Sequence, residues 1–364
     1  MKPVLDVPFL ADETYVNFLA DKRQELSSVH FSILSGKRLD SRFILGPPDN
    51  HAQVIEFLSA LHGVKRYALM NSLFYTPDLL ISAERLQPII YALDECCEHG
   101  VINGIIFCDQ YLLQRLSSAA PGLASALEAV PGVNTMLDSL EKVEAQLACI
   151  GETHFRLPSQ LVLDRSLNRD LDRLARVALQ VRGKFPEVNL GLLANEGCLP
   201  YCPFKASHDA YIALANMEGQ DSTYSMNCEL GCMRLLEQQP HRVLQSPFIR
   251  PEDVDLYLYH VDTIKLCGRT LGADFLCSAI QAYCARQYEG NLLNLMDATH
   301  WMADRLYVDN GSLSFDFANM LSMCDSRCEV CGFCEELFES ITRPLPFSLE
   351  DRRPRLIDSK GTDV

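Results

Sequence analysis

The chain reads as an α/β protein: a TIM-barrel-like parallel barrel that carries a helical, cysteine-rich C-terminal extension. Short apolar runs of strand length recur along its 364 residues, helical patterns fall between them, and the alternation repeats roughly seven or eight times. Such alternation implies a parallel sheet with helical crossovers, and that number of units fits a closed barrel better than an open sheet. A barrel of usual size leaves roughly a hundred residues over. The expected division is therefore a barrel-like domain at 1–290, an extension at 291–345 and a tail at 346–364.

Residues 1–28 carry a weak helical pattern, and the first strand is predicted at 29–34, closed by Ser35-Gly36. Gly46-Pro-Pro-Asp-Asn is a loop and helix start, followed by apolar residues at helical spacing over 53–62. A strand at 67–71, a helix at 84–99 and a strand at 101–108 come next. Pro121-Gly122 and Pro131-Gly132 bracket a short helix that contains 123–129. Residues 137–146 read as helix, 147–151 as a short strand, 160–164 as a strand and 168–182 as an amphipathic helix. The apolar stretch 188–194 is a buried strand that turns at Asn195-Glu196-Gly197. Further strands are predicted at 243–249 and 261–265, separated by the helix start Arg250-Pro-Glu-Asp. Helices at 276–288 and 291–305 follow, and the charged, Pro-containing segment 347–364 reads as a tail.

With 32 Lys and Arg against 48 Asp and Glu, the formal charge of -16 disfavours a broad phosphate-binding surface and hence nucleic acid. No apolar run approaches the roughly twenty residues that span a bilayer. The first residues, Met-Lys-Pro-Val-Leu-Asp, lack a signal-peptide core, so a cytoplasmic protein without a membrane partner is expected. In that setting the fifteen cysteines are reduced and available to metal. Seven of them, Cys96, Cys97, Cys108, Cys149, Cys267, Cys277 and Cys284, mostly sit in apolar runs and read as buried small hydrophobes.

The other eight form two sets. Cys198 and Cys202 follow a predicted strand end, where barrels of this kind keep their chemistry, and Cys228 and Cys232 repeat the C-x3-C spacing. Iron–sulfur and zinc are the two metal candidates, because both need grouped thiolates. Two separated loops in the middle of a barrel suit a 4Fe-4S cluster better than a compact zinc knuckle. The second set is Cys324, Cys328, Cys331 and Cys334, four thiols within eleven residues. Its first three match the spacing of radical S-adenosylmethionine enzymes, but those place the motif after the first barrel strand, and here only about thirty residues follow. A local second iron–sulfur cluster, zinc or unmetallated thiols remain for this set.

The stretches Ala194-Asn-Glu-Gly-Cys-Leu-Pro-Tyr-Cys-Pro-Phe, Ser246-Pro-Phe-Ile-Arg-Pro-Glu-Asp and Ile264-Lys-Leu-Cys-Gly-Arg-Thr together resemble the collagenase-like peptidase family, U32. The likeness covers roughly 30–290. It implies a barrel-like domain with a 4Fe-4S cluster on four cysteines. Despite the peptidase name, members of the UbiU/UbiV kind and relatives that modify transfer or ribosomal RNA resemble oxygen-independent hydroxylases, some with prephenate as oxygen donor. This chain departs from the family in its two C-x3-C pairs, in Cys267 where the family strand ends with Glu, and in its C-terminal cysteines.

Lys265 and Arg269 lie at and just beyond a predicted strand end, where a point charge and a planar fork together suit a dicarboxylate or phosphate. The plainer reading is an ion pair with Glu196, Glu229 or Glu252. Asn195 and Glu196 at the strand end, with His208 and Tyr201 beside the first cysteine pair, complete the candidate catalytic residues. No G-x-S-x-G or H-E-x-x-H motif supports peptide hydrolysis. Three functions remain: a hydroxylase acting on a small anionic substrate, an RNA-modifying hydroxylase, and a non-catalytic iron–sulfur subunit that pairs with a related chain. The acidic charge favours the first and third.

Overall fold

In the computed structural model, which describes residues 4–33, 39–42, 50–219 and 223–346, eight strands form one parallel sheet. They are β1 (Leu5–Pro8), β2 (Leu26–Ser32), β3 (Lys65–Met70), β4 (Gly104–Phe107), β5 (Glu128–Pro131), β6 (Gln160–Leu163), β7 (Asn189–Leu193) and β8 (Thr263–Lys265). The order is β5-β4-β3-β2-β1-β8-β7-β6, so the first strand lies in the middle, between β2 and β8. The two edges meet through one parallel bridge, Glu128 with Arg156. Ala129 N–H donates to the Arg156 carbonyl at 3.0 Å and Arg156 N–H to the Leu127 carbonyl at 2.9 Å. The result is a nearly closed α/β barrel surrounded by helices, as the alternation predicts.

Strand periodicity explains what faces inward. Leu5 and Val7 join the large core between sheet and helices, while Asp6 between them turns into the barrel with Ser28 and His30 of β2 and Lys265 of β8. Tyr67, Leu69, Ile106 and Val130 form a separate small apolar cluster inside the barrel. Glu128 seals the seam: its carboxylate accepts from Ser159 N–H at 3.1 Å, Ser159 Oγ at 2.7 Å and Tyr67 Oη at 3.0 Å.

The extension adds β9 (Leu306–Val308), antiparallel to β10 (Thr342–Pro344), and the helices Phe317–Ser322 and Phe333–Ile341. Arg250 fastens it to the barrel. Its fully buried guanidinium grips Asp253 at 2.7 and 2.9 Å and donates to the Leu313 and Ser314 carbonyls at 3.3 and 2.8 Å. The helix start read at Arg250-Pro-Glu-Asp is thus also the joint.

Five local expectations are corrected. The pattern over 1–28 hides β1, a four-residue strand whose Asp6 breaks the apolar run. The end of the helix expected at 123–129 is β5, and a helix at Gln110–Ala119 went unread. Residues 147–151 continue the helix Leu140–Gly151, because Val143, Leu147 and Ile150 keep one buried helical face. No strand forms at 243–249: a 3₁₀ turn, Pro240–Gln245, leads to an irregular stretch around Pro247, which has no N–H for a ladder. Residues 291–305 are two 3₁₀ turns, Leu292–Leu295 and His300–Met302, rather than one helix. The tail at 347–364 lies outside the described residues. Among the described residues no helix is long and apolar enough to cross a membrane.

Candidate functional site

Parallel strands deliver their C-terminal ends to one face, and there a cavity of about 50 Å3 is lined by His30, Arg42, Glu196, Lys265, Cys267 and Arg269 among others. Lys265 Nζ donates to Asp6 Oδ2 at 2.6 Å and lies 3.0 Å from His30 Nδ1, which in turn is 3.0 Å from Asp6 Oδ1. Burial alone would raise the Asp6 carboxyl, but Lys265 and His30 hold it well below the usual carboxylate range. Burial and Lys265 push His30 down to about 4 against the pull of Asp6. At neutral pH the imidazole is therefore uncharged, with its Nδ1 set between the Asp6 carboxylate and the Lys265 ammonium.

Both expected cations are partnered, but by other carboxylates than those anticipated. Lys265 pairs with Asp6, and Arg269 Nη2 lies 2.8 Å from Asp40 Oδ1. Its Nε is buried without a hydrogen-bond acceptor. Glu196 pairs instead with Arg165 and, at 3.8 Å, with Arg42, whose Nη2 also meets Asp297 at 3.0 Å. Glu252 accepts from Tyr288 N–H at 2.7 Å, away from either cation.

Asn195 is completely buried and works as a clasp. Its Nδ2 donates to the Cys267 and Leu295 carbonyls, each at 3.0 Å, and its Oδ1 accepts from Cys267 N–H at 2.8 Å, tying the ends of β7 and β8 together. At Gly268, with φ near +120°, a Cβ would run into the Phe275 ring, so this strand exit requires glycine. Cys267 lines the cavity, and burial and then Asp297 push its thiol well above the usual range.

The loop after β7 bends through Gly197 and then Tyr201, both at positive φ, and Ser246 Oγ donates to the Cys198 carbonyl at 2.8 Å. Burial pushes the Cys198 thiol up, Arg165, Lys205 and Arg42 pull it down, and charge on Cys232 pushes it up again. Burial likewise raises Cys232, with Cys202 and then Cys228 adding to it. Cys232 thus lies within electrostatic reach of each of the other three thiols. Among the described residues, no three Cys, His, Asp or Glu side chains are grouped closely enough to hold one metal ion. His208 stands to one side on the helix Lys205–Glu218, its Nε2 3.2 Å from Asn227 Nδ2, and Tyr201 is exposed.

The second set, Cys324, Cys328, Cys331 and Cys334, lines a different and much larger cavity, about 860 Å3, against the Pro240–Gln245 turn. Sequence reading missed Asp6, His30, Asp40, Arg42 and Arg165. For Asp6 and His30 a signal existed, since each is a polar residue alternating with apolar ones in a strand-like run, the mark of an inward-facing position in a barrel.

No family model matches the chain. A curated relative, named an uncharacterized protease, from Methanocaldococcus jannaschii is 32% identical over 183 residues, which is 49% of this chain and 52% of its own. The chain therefore spans about half the length of the curated relative it matches. A solved structure titled as that of a U32 peptidase aligns with TM-score 0.49 and 14% identity, over 72% of this chain and 91% of that one. An α-amylase from Lactobacillus plantarum aligns with TM-score 0.36 and 9% identity, over 88% and 80%. Both structural likenesses are too distant to carry weight. The chain is thus similar to that relative over about half of its own length, and its motifs at 194–204, 246–253 and 264–270 resemble the U32 peptidase family.

Proposed function

We propose that the chain is an iron–sulfur redox enzyme, a hydroxylase independent of dioxygen that acts on a small anionic substrate at the barrel mouth. The observation that carries this reading is the meeting of two features at one mouth: the cysteine set of Cys198, Cys202, Cys228 and Cys232, whose Cys198 lies within electrostatic reach of Arg42 and Cys267, and a cavity in which Arg269 keeps a buried Nε donor without an acceptor. These cysteines would hold a 4Fe-4S cluster, and Arg42, Arg165 and Lys205 put positive charge beside Cys198 that opposes the burial raising its thiol. When bound, the cluster supplies electron transfer. The remaining roles fall to this chain's own residues. Arg269, anchored by Asp40, offers its Nε edge to a carboxylate, Lys265 fixes the charge on Asp6, and the uncharged His30 ring accepts or returns a proton. The relative's protease name raises peptide hydrolysis as a second reading, which no G-x-S-x-G or H-E-x-x-H motif in the chain supports.

Anaerobically purified protein is expected to be brown, and Cys198→Ser to lose most of the visible absorbance assigned to this set. Stoichiometric zinc in a colourless wild type would overturn the reading. Prephenate or a related dicarboxylate is expected to bind, and Arg269→Lys, which keeps charge but loses the fork, to weaken it by roughly 1–3 kcal/mol. Titration indifferent to Arg269 would remove the substrate half of the proposal.

A further inference from the structure

Four thiols of the extension surround space that nothing in the barrel-mouth reading uses. Cys324, Cys328, Cys331 and Cys334 all line the cavity of about 860 Å3, and Cys328 and Cys331 reach its exposed rim. Close spacing alone does not turn thiols toward one space; the fold does. Gly332, at φ +66°, breaks the chain between the short helix Cys328–Cys331 and the helix Phe333–Ile341, so Cys331 and Cys334 border the same space as Cys324.

The opposite wall supplies cations. Arg242 lines the cavity with its Nε donating to Gln239 Oε1 at 2.5 Å, and Arg169 is held by the Gln245 and Leu244 carbonyls at 2.5 and 3.4 Å. Fixed positive charge stabilises an anionic thiolate centre, and the Ser326 N–H pointing at Cys324 Sγ from 3.4 Å is the kind of contact that tunes sulfur ligands. Among the described residues no three ligating side chains stand close enough to hold a single ion, and a cubane cluster, which sets its thiolates wider apart than one zinc ion does, is the body that four thiols around this cavity suit.

We propose that this quartet binds an iron–sulfur cluster of its own, seated between segment 324–334 and the Pro240–Gln245 turn. The site is separate from the mid-chain cysteines and does not depend on the function assigned to them.

The full chain is purified anaerobically or reconstituted with ferrous iron and sulfide, and iron, acid-labile sulfide and zinc are measured in wild type, Cys198→Ser and the double variant Cys328→Ser/Cys331→Ser. The double variant is expected to lose about four irons and four sulfides per chain. Cys198→Ser is expected to keep that share, so failure of the barrel-mouth reading and failure of this one give different results. Unchanged iron in the double variant, or zinc lost in place of iron, overturns the proposal. A second variant, Arg242→Gln, keeps all four thiols: it is expected to retain the iron and to lower the reduction potential of one centre, and an unmoved potential also counts against the proposal. Circular dichroism on each variant ties metal loss to the site rather than to unfolding.

Discussion

His30 is the residue whose environment departs furthest from an ordinary surface histidine. In the unfolded chain its imidazole binds a proton near the usual 6.5, and in the folded barrel burial and Lys265 lower that to about 4. Between those values the unfolded state holds more protons, so this contribution is complete above about 6.5 and is lost as pH falls toward 4. Asp6, held below its usual range, adds a second loss at lower pH, below about 4. The expected outcome is a wild type that loses on the order of 3 kcal/mol between pH 6.5 and 4, and a His30→Gln variant whose slope there is flat. Urea unfolding across that range measures it, and parallel slopes would remove His30 as the cause.

Among the elements, the turn at 250–253 joins the barrel to the extension. Its one arginine satisfies a buried carboxylate, two carbonyls of the extension and the face of Phe317, 5.4 Å from the guanidinium. Arg250→Ala leaves Asp253 buried without its partner, so roughly 3–5 kcal/mol of stability should be lost. Chemical denaturation that shows under about 1 kcal/mol would contradict this. The same turn shows where sequence reading succeeds and where it stops. Proline and acidic residues announced a helix start, and apolar runs of adequate length announced β2, β3, β4, β6, β7 and β8. By contrast β1 carries a charged side chain inside its apolar run, and β5 follows directly on the helical run before it, so local periodicity does not set either apart. The cysteine sets were legible because ligand spacing is local. The Asp6, His30 and Lys265 cluster was not, because strand register alone joins residues 24 and 259 positions apart.

For the whole molecule, the seam between β5 and β6 is the place where the sheet has least to hold it. Glu128 takes over what a full ladder does elsewhere, so Glu128→Ala should speed amide exchange at 128–131 and 156–163 while β1, β2 and β8 stay protected. Equal acceleration in the central strands would mean that the barrel opens as one unit. Opposite this seam, the position of β1 has a consequence for how the chain is made. One side of β1 can pair as soon as β2 has left the ribosome, but its other side stays bare until β8 has been synthesised. Through most of synthesis Asp6 has no ammonium beside it, and the nascent sheet presents an unpaired rim. Closure is thus a late, long-range event, which makes refolding slow and leaves the half-finished chain a target for chaperones that shield open strand edges.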